Sequence, residues 1–279
     1  MRQDLHRHLT IAGLTDRGAV RDNNEDYIDW DEKLGLLVLA DGMGGAKAGE
    51  VASQLAVRTI MEQVRRESAA SKEGLHETAD GQEYTRASHI LMEALRAAHQ
   101  TVTQVADSQP QYQGMGTTVV ACLCYDNRVS IAHVGDSRLY LFRQHQLRQV
   151  TEDHTLIQEL VRRGFYRPQE AQKSVNRNML TQAVGVSESL QVSIQEETLL
   201  VDDLLLLCSD GLTDMLDDRD ISRLLQKIRE PAEAASQLVE LANQAGGKDN
   251  ISVLLMRIDS PFPAGPRHWG KRILDWFFS

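Results

Sequence analysis

The chain has 279 residues, 42% hydrophobic and 25% charged, with 30 basic against 40 acidic residues and a net charge of −10. That length and balance suit a soluble globular protein with a substantial core. The acidic surplus argues against a nucleic-acid-binding surface, which needs clustered Lys and Arg.

The opening MRQDLHRHLT lacks the apolar stretch of a secretory signal. His6 and His8 form an HxH there, in too loose a context to read as metal ligands. Residues 9–40 read as extended segments around the polar insert DNNED. A helical pattern follows from Ala46 to about Glu67, with Val51, Leu55, Ile60 and Val64 among its apolar positions. Residues 68–83 are polar and read as a loop, and a second helix covers roughly Tyr84–Ala106. TTVVACLCY and RVSIAHV flank Asp126-Asn127 as a hairpin. RLYLFR and QLRQV continue as strands. Residues 152–190 are charged and helix-prone, an insertion over the sheet; strands return at 191–208, helices near 218–228 and 231–245, and a last strand at 251–258. Strands grouped in hairpins with long helices elsewhere predict an α+β fold. No apolar run approaches the roughly 18 residues of a membrane span. Cys122, Cys124 and Cys208 lie in apolar strands, as buried reduced thiols do, and a cytoplasmic location fits.

The most informative residues are acidic. Asp41 ends LLVLA and Asp210 ends LLLLCS, each before a glycine, while Asp249 sits in GGKDN ahead of ISVLLMRI. An apolar run closed by Asp-Gly reads as a buried strand emptying into a turn. A lone Asp-Gly is only a turn. Here Glu25 and Asp26 in RDNNED, Asp136 in HVGDSR and Asp214 in SDGLTD join the set. Carboxylates gathered at strand ends repel one another unless cations neutralise them. Oxygen ligands without HExxH or paired CxxC patterns suit Mg²⁺ or Mn²⁺ better than Zn²⁺. Two such ions can activate a water for in-line attack at phosphorus, and Arg21, five residues before Asp26, is a candidate clamp for the phosphate. A plain surface arginine fits its spacing equally well.

The ordered series VRDNNED, LADGMGG, GMGTT, HVGDSRLY, TEDHTLIQELVRRG…NMLTQAVG, SDGLTD and GGKDNISVLL closely resembles the metal-dependent protein phosphatases (PPM, type 2C), particularly the compact bacterial branch. The match runs from about Gly13 to Ile258. The resemblance implies a four-layer α-β-β-α sandwich with two antiparallel central sheets and a metal cleft at one end. It implies that Asp41 bridges two ions, that Asp210 and Asp249 complete the first, and that Glu25 and the carbonyl of Gly42 hold the second. Asp136 and Asp214, with Asp210, match a weaker third site. Arg21 would bind the substrate phosphate and Asp26 would orient metal-bound water. Residues 152–185 match a mobile flap beside the cleft. Some relatives carry a histidine, proposed as the general acid, where this chain has Met43. His154 in the flap is one conceivable substitute.

The leading reading is thus a serine/threonine protein phosphatase in which hydroxide held by two Mn²⁺ or Mg²⁺ ions attacks the phosphate directly. A catalytically silent binding module would have lost a metal ligand, and none is lost. A two-metal nuclease or nucleotide phosphohydrolase shares the ion chemistry but not the acidic charge. The resemblance implies phosphorylated protein substrates, a Ser/Thr kinase among them, and a monomer is the default. The phosphatase domain is expected over residues 1–259. Residues 260–279 form a Pro-rich, aromatic tail with Trp269, Ile273, Leu274, Trp276, Phe277 and Phe278. That tail reads either as a helix docked on the body or as a contact for a partner or membrane surface.

Overall fold

A computed structural model describes residues 5–44, 48–70, 75, 84–167 and 179–262. Two antiparallel sheets are stacked between two layers of helices. One sheet has the order β1-β11-β10-β7-β8 and the other β2-β3-β5-β6-β9, with β4 paired to β3 outside that path. The strands of the first are β1 (Leu9–Asp16), β7 (Arg138–Arg143), β8 (Gln146–Gln149), β10 (Leu204–Cys208) and β11 (Ile251–Ile258). The second contains β2 (Asp26–Asp31), β3 (Leu36–Met43), β4 (Gly116–Thr117), β5 (Val119–Tyr125), β6 (Arg128–Val134) and β9 (Ser193–Thr198).

Why the apolar runs are continuous rather than alternating follows from the layers. Leu37 and Leu39 of β3 face Leu205, Leu207 and Leu254 between the sheets. Leu36, Val38 and Ala40 of the same strand pack on the other side against Val57 and Ile60 of α1 (Ala48–Ala70) and Leu91 and Leu95 of α2 (Arg86–Ser108). On the opposite outer face, Leu204, Leu206 and Val253 meet α5 (Asp218–Lys227) and α6 (Pro231–Gln244) through Leu225 and Leu238. A strand covered on both faces must be apolar at every position. This is the sandwich expected from the sequence, and the hairpin at Asp126-Asn127 joins β5 and β6.

Three local expectations change. The first helix ends at Ala70 rather than near Glu67. The N-terminus is not loose from Leu5 onward: Leu5 is 2% exposed in the core between the sheets. Strand β3 does not stop at Asp41. It continues through Gly42 and Met43, because these pair with Thr117 and Gly116. Within the insertion, α3 (Leu156–Arg162) and the bridge between Thr155 and Leu180 are described. Its middle, residues 168–178, lies outside the described residues, as does the aromatic tail beyond Phe262.

The N-terminus of α2 is capped from a distance. The side chain of Thr85 accepts no hydrogen bond from a backbone amide of its own helix. Instead Glu196 of β9 accepts hydrogen bonds from the Thr85 amide at 2.9 Å, the Thr85 hydroxyl at 2.7 Å and the Ser88 hydroxyl at 2.7 Å. A carboxylate there also favours the positive end of the helix dipole. Burial alone would raise the Glu196 pKa. The hydrogen bonds from Ser88 and Thr85, with Arg128 nearby, outweigh it and hold the carboxyl below its usual value. Glu196→Ala should therefore cost about 2 kcal/mol, read as a lower urea midpoint. Since the folded pKa lies below the unfolded one, this contribution is complete above the unfolded pKa and disappears as pH falls through the folded value. The gap between the two proteins should narrow on acidification; a gap independent of pH would show that the charge of Glu196 is irrelevant.

Candidate metal centre

Antiparallel pairing brings six strand ends to one edge of the sandwich. Asp26, the first residue of β2, is the register partner of Asp41 near the end of β3. Asp136 lies in the turn between β6 and β7, and Asp249 lies two residues before β11. Asp210 does not end its strand: it opens α4 (Asp210–Thr213), a single turn that follows Ser209. The Asp214 amide donates to the Asp210 carbonyl at 2.7 Å, which puts both carboxylates on the same short turn. Asp136, Asp210 and Asp214 line an open groove of about 1080 Å³, bounded on the insertion side by Glu152, Asp153 and Ile157.

The backbone around these acids is fixed by buried polar residues. Asn250, 5% exposed, donates to the carbonyls of Arg17 at 2.9 Å and Asn23 at 2.8 Å, and accepts from the Glu25 amide at 2.8 Å. It therefore shapes the whole loop that carries Arg21 and Glu25. The Glu25 carbonyl accepts from the Gly42 amide at 3.1 Å and the Ser53 hydroxyl at 2.6 Å. The Asp41 carbonyl accepts from the Thr118 amide and the Thr117 hydroxyl, each at 2.8 Å. Close packing here requires glycine. A Cβ at Gly42 would stand 2.1 Å from the Gly49 carbonyl oxygen, and one at Gly49 would stand 2.6 Å from Glu25 Oε2.

Burial is the main reason that these carboxyls resist ionisation. It drives Asp41 well above the ordinary carboxylate range, with repulsion from Asp26, Asp210, Asp136 and Asp249 adding to it. Asp210 is raised in the same way, by burial and then by Asp136, Asp249 and Asp214. Asp41 and Asp210 nonetheless keep part of their surface open to solvent. Asp26 and Asp136 are each pushed up to about 6, again first by burial. Asp26 is 5% exposed, and while its Oδ2 accepts from the Ser209 hydroxyl at 2.8 Å, its buried Oδ1 has no hydrogen-bond partner among the described residues. Cationic side chains offset little of this: Arg138 is taken up mainly by Asp153 at 2.7 Å.

Arg21 reaches the cluster, as its spacing suggested, but its Nη2 donates to Asp249 Oδ2 at 2.7 Å. The other Asp249 oxygen accepts from the Asn250 amide. With Asp249 so engaged, no three His, Cys, Asp or Glu side chains among the described residues close around one point tightly enough to hold an ion as they stand. The donor chemistry still fits a hard divalent cation: carboxylates in excess and a buried oxygen without a hydrogen-bond partner among the described residues. Asp41, Asp210, Asp249 and Glu25 could hold such ions once Asp249 turns from Arg21, with Asp136 and Asp214 beside the groove.

His154 is not placed to act as an acid. Its Nδ1 accepts from the Gly135 amide at 3.2 Å and its Nε2 meets the Ser193 hydroxyl at 2.8 Å. Burial and the neighbouring His133 lower its pKa to about 4. What the sequence reading missed is the bracing set, Asn250, Ser209, Ser53, Thr117 and Thr118. Four of these stood inside quoted motifs, SDGLTD, GGKDN and GMGTT, where the acids and glycines drew attention away from them; Ser53, on α1, carried no such signal.

Comparison with known proteins follows the same outline. The sequence pattern of protein phosphatase 2C matches residues 16–244. The serine/threonine phosphatase stp of Listeria monocytogenes is 37% identical over 248 residues, 88% of this chain and 94% of that protein. The crystal structure of the Mycobacterium tuberculosis serine/threonine phosphatase PstP/Ppp is similar with a TM-score of 0.78 and 37% identity, over 91% of this chain and 100% of that one. The PstP catalytic domain in complex with two manganese ions is similar with a TM-score of 0.76 and 36% identity, over 91% of this chain and 99% of that one.

The raised carboxyls make the sign of the pH response clear. A carboxyl whose folded pKa exceeds its unfolded value binds protons more readily when folded, so stability rises as pH falls through the folded value. In a chelator, the protein should gain stability between about pH 7 and pH 5. With Mn²⁺ present the trend should reverse, because ligands must stay deprotonated to hold the ion. Thermal unfolding at several pH values, with EDTA and with Mn²⁺, measures both. Identical trends in the two series would mean that the cluster does not bind the cation.

Proposed function

The chain belongs to the protein phosphatase 2C family, and from that premise we propose that it is a serine/threonine protein phosphatase that removes phosphate from phosphoserine and phosphothreonine on proteins with Mn²⁺ or Mg²⁺. The observation that carries the reading is the convergence of Asp41, Asp210, Asp249, Glu25 and Asp136 at one edge of the sandwich, with burial raising the pKa of Asp41, Asp210, Glu25 and Asp136.

In this reading Asp41, Asp210 and Asp249 would hold one ion, and Asp41, Glu25 and the Gly42 carbonyl would hold a second. Asp136 and Asp214, with Asp210, form a weaker third subsite. When bound, such ions supply an activated water and offset the charge that develops on the phosphoryl oxygens. Asp26, fixed by Ser209, would orient such a water through its unpartnered oxygen. Arg21 is 54% exposed and keeps further N–H groups beyond the one given to Asp249, so it can take the peripheral oxygens of the phosphate in a bidentate contact. Met43 offers no proton and His154 is occupied on both nitrogens, so the leaving Ser or Thr oxygen takes its proton from water.

The catalytic unit is residues 1–259, with 152–185 as a flap beside the groove and 260–279 as a tail outside it. Among the described residues no helix is long and apolar enough to cross a membrane, and a monomer working in the cytoplasm is the simplest arrangement. Its substrates include a Ser/Thr kinase, whose autophosphorylation it reverses.

Two measurements test these roles. The purified protein should release phosphate from a phosphothreonine peptide with Mn²⁺ and not with EDTA, and Asp210→Asn should lower turnover by about 100-fold or more while raising the thermal midpoint of the chelated protein by a few degrees. Release unaffected by EDTA would sink the proposal. Arg21→Ala should lower kcat/KM by roughly 10- to 100-fold, mostly through KM; unchanged constants would remove Arg21 from the site.

A further inference from the structure

His154 grips Gly135 by both of its backbone polar groups. Its amide donates to the Gly135 carbonyl at 2.9 Å, and the Gly135 amide donates back to its Nδ1 at 3.2 Å. A nitrogen that accepts an N–H carries no proton, so the imidazole holds its hydrogen on Nε2 and donates it to the Ser193 hydroxyl at 2.8 Å, at the first residue of β9. The ring lies on His133, centroid to centroid 4.6 Å at 27°. His133 is 1% exposed and donates to the Glu152 carbonyl at 2.8 Å, which fixes the second ring as well.

The gripped peptide has a special place. Gly135 has φ +104, a conformation that side-chain-bearing residues rarely adopt, and the next residue is Asp136. The residue after that, Ser137, bonds the Thr118 hydroxyl at 2.7 Å, and Thr118 in turn holds the backbone of Asp41. His154 also stands at the root of the insertion: its carbonyl accepts from the Thr181 amide at 2.8 Å, and the neighbouring Leu156 amide donates to Met179. One residue therefore joins the Asp136 turn and strand β9 through its side chain, and the two legs of the insertion meet through the backbone beside it.

We infer that His154 is a positioning residue for the cation subsite at Asp136, acting through the Gly135 peptide. The inference rests on the proposed role of Asp136 as a ligand. The ring does not touch the ion. It fixes the turn from which the carboxylate projects, and ties that turn to the root of the flap. Groups that orient a ligand in this way typically matter for metal affinity by about 10- to 100-fold.

The test uses the full chain as wild type, His154→Ala, His154→Asn and Asp136→Asn, each titrated with Mn²⁺ by calorimetry and melted in EDTA. His154→Ala should weaken the weakest Mn²⁺ step by about 10-fold and leave the tighter steps unchanged. In His154→Asn, Oδ1 replaces Nδ1 as the acceptor for the Gly135 amide, and most of the affinity should return. An unchanged titration in a folded His154→Ala, an equal weakening of all steps, or no recovery in His154→Asn would overturn the inference. Asp136→Asn separates the two levels: if it leaves the weakest step intact, the ligand role of Asp136 itself is wrong, whatever His154 does.

Discussion

Like charges confined in a partly dry cleft are the constraint on which this structure depends. Asp41, Asp210, Asp26 and Asp136 sit where burial and mutual repulsion oppose their ionisation. Left to side-chain preference, they would spread into water. They stay because the strands that carry them are held fast: the inner strands of both sheets are apolar on both faces, and neighbouring strands are locked in register. Hydrophobic layers thus hold an arrangement that electrostatics alone would disperse. A site of this kind is less stable without cations than with them, which is how cation binding becomes coupled to the fold.

Much of this was legible in the chain. Continuous apolar runs such as LLVLA and LLLLC require cover on two faces, and the hairpin around Asp126-Asn127 followed from its turn residues. Asp41 and Asp210 stood out because each follows such a run, and Asp249 because it comes just ahead of one. Their exact settings were not legible. Asp-Gly suggested a strand end at position 41, yet Gly42 pairs onward with Thr117. At position 210 the same dipeptide opens a helical turn. Local sequence cannot distinguish the two, because the outcome depends on whether a partner strand lies alongside.

The polar bracing was hidden for a different reason. Asn250 forms bonds to residues over two hundred positions away, and nothing near it in sequence marks those partners. The same holds for Glu196, whose place as a cap for α2 depends on β9 crossing beneath that helix. His154 shows the converse error. Its chemistry suggested proton transfer, but an imidazole already hydrogen-bonded on both nitrogens serves geometry instead.

The order of the strands has a consequence for synthesis. In the first sheet β11, the last strand among the described residues, lies between β1 and β10. Residues 9–16 have no partner in that sheet until residues 251–258 arrive, and Asn250 brings with it the bonds that shape the loop bearing Arg21. While the ribosome is still producing the middle of the protein, neither Asp249 nor that loop can reach its place. The centre is therefore assembled last, by the docking of a terminal segment into a gap already lined with leucine, and a nascent or truncated chain that lacks this segment is incapable of dephosphorylating anything it meets.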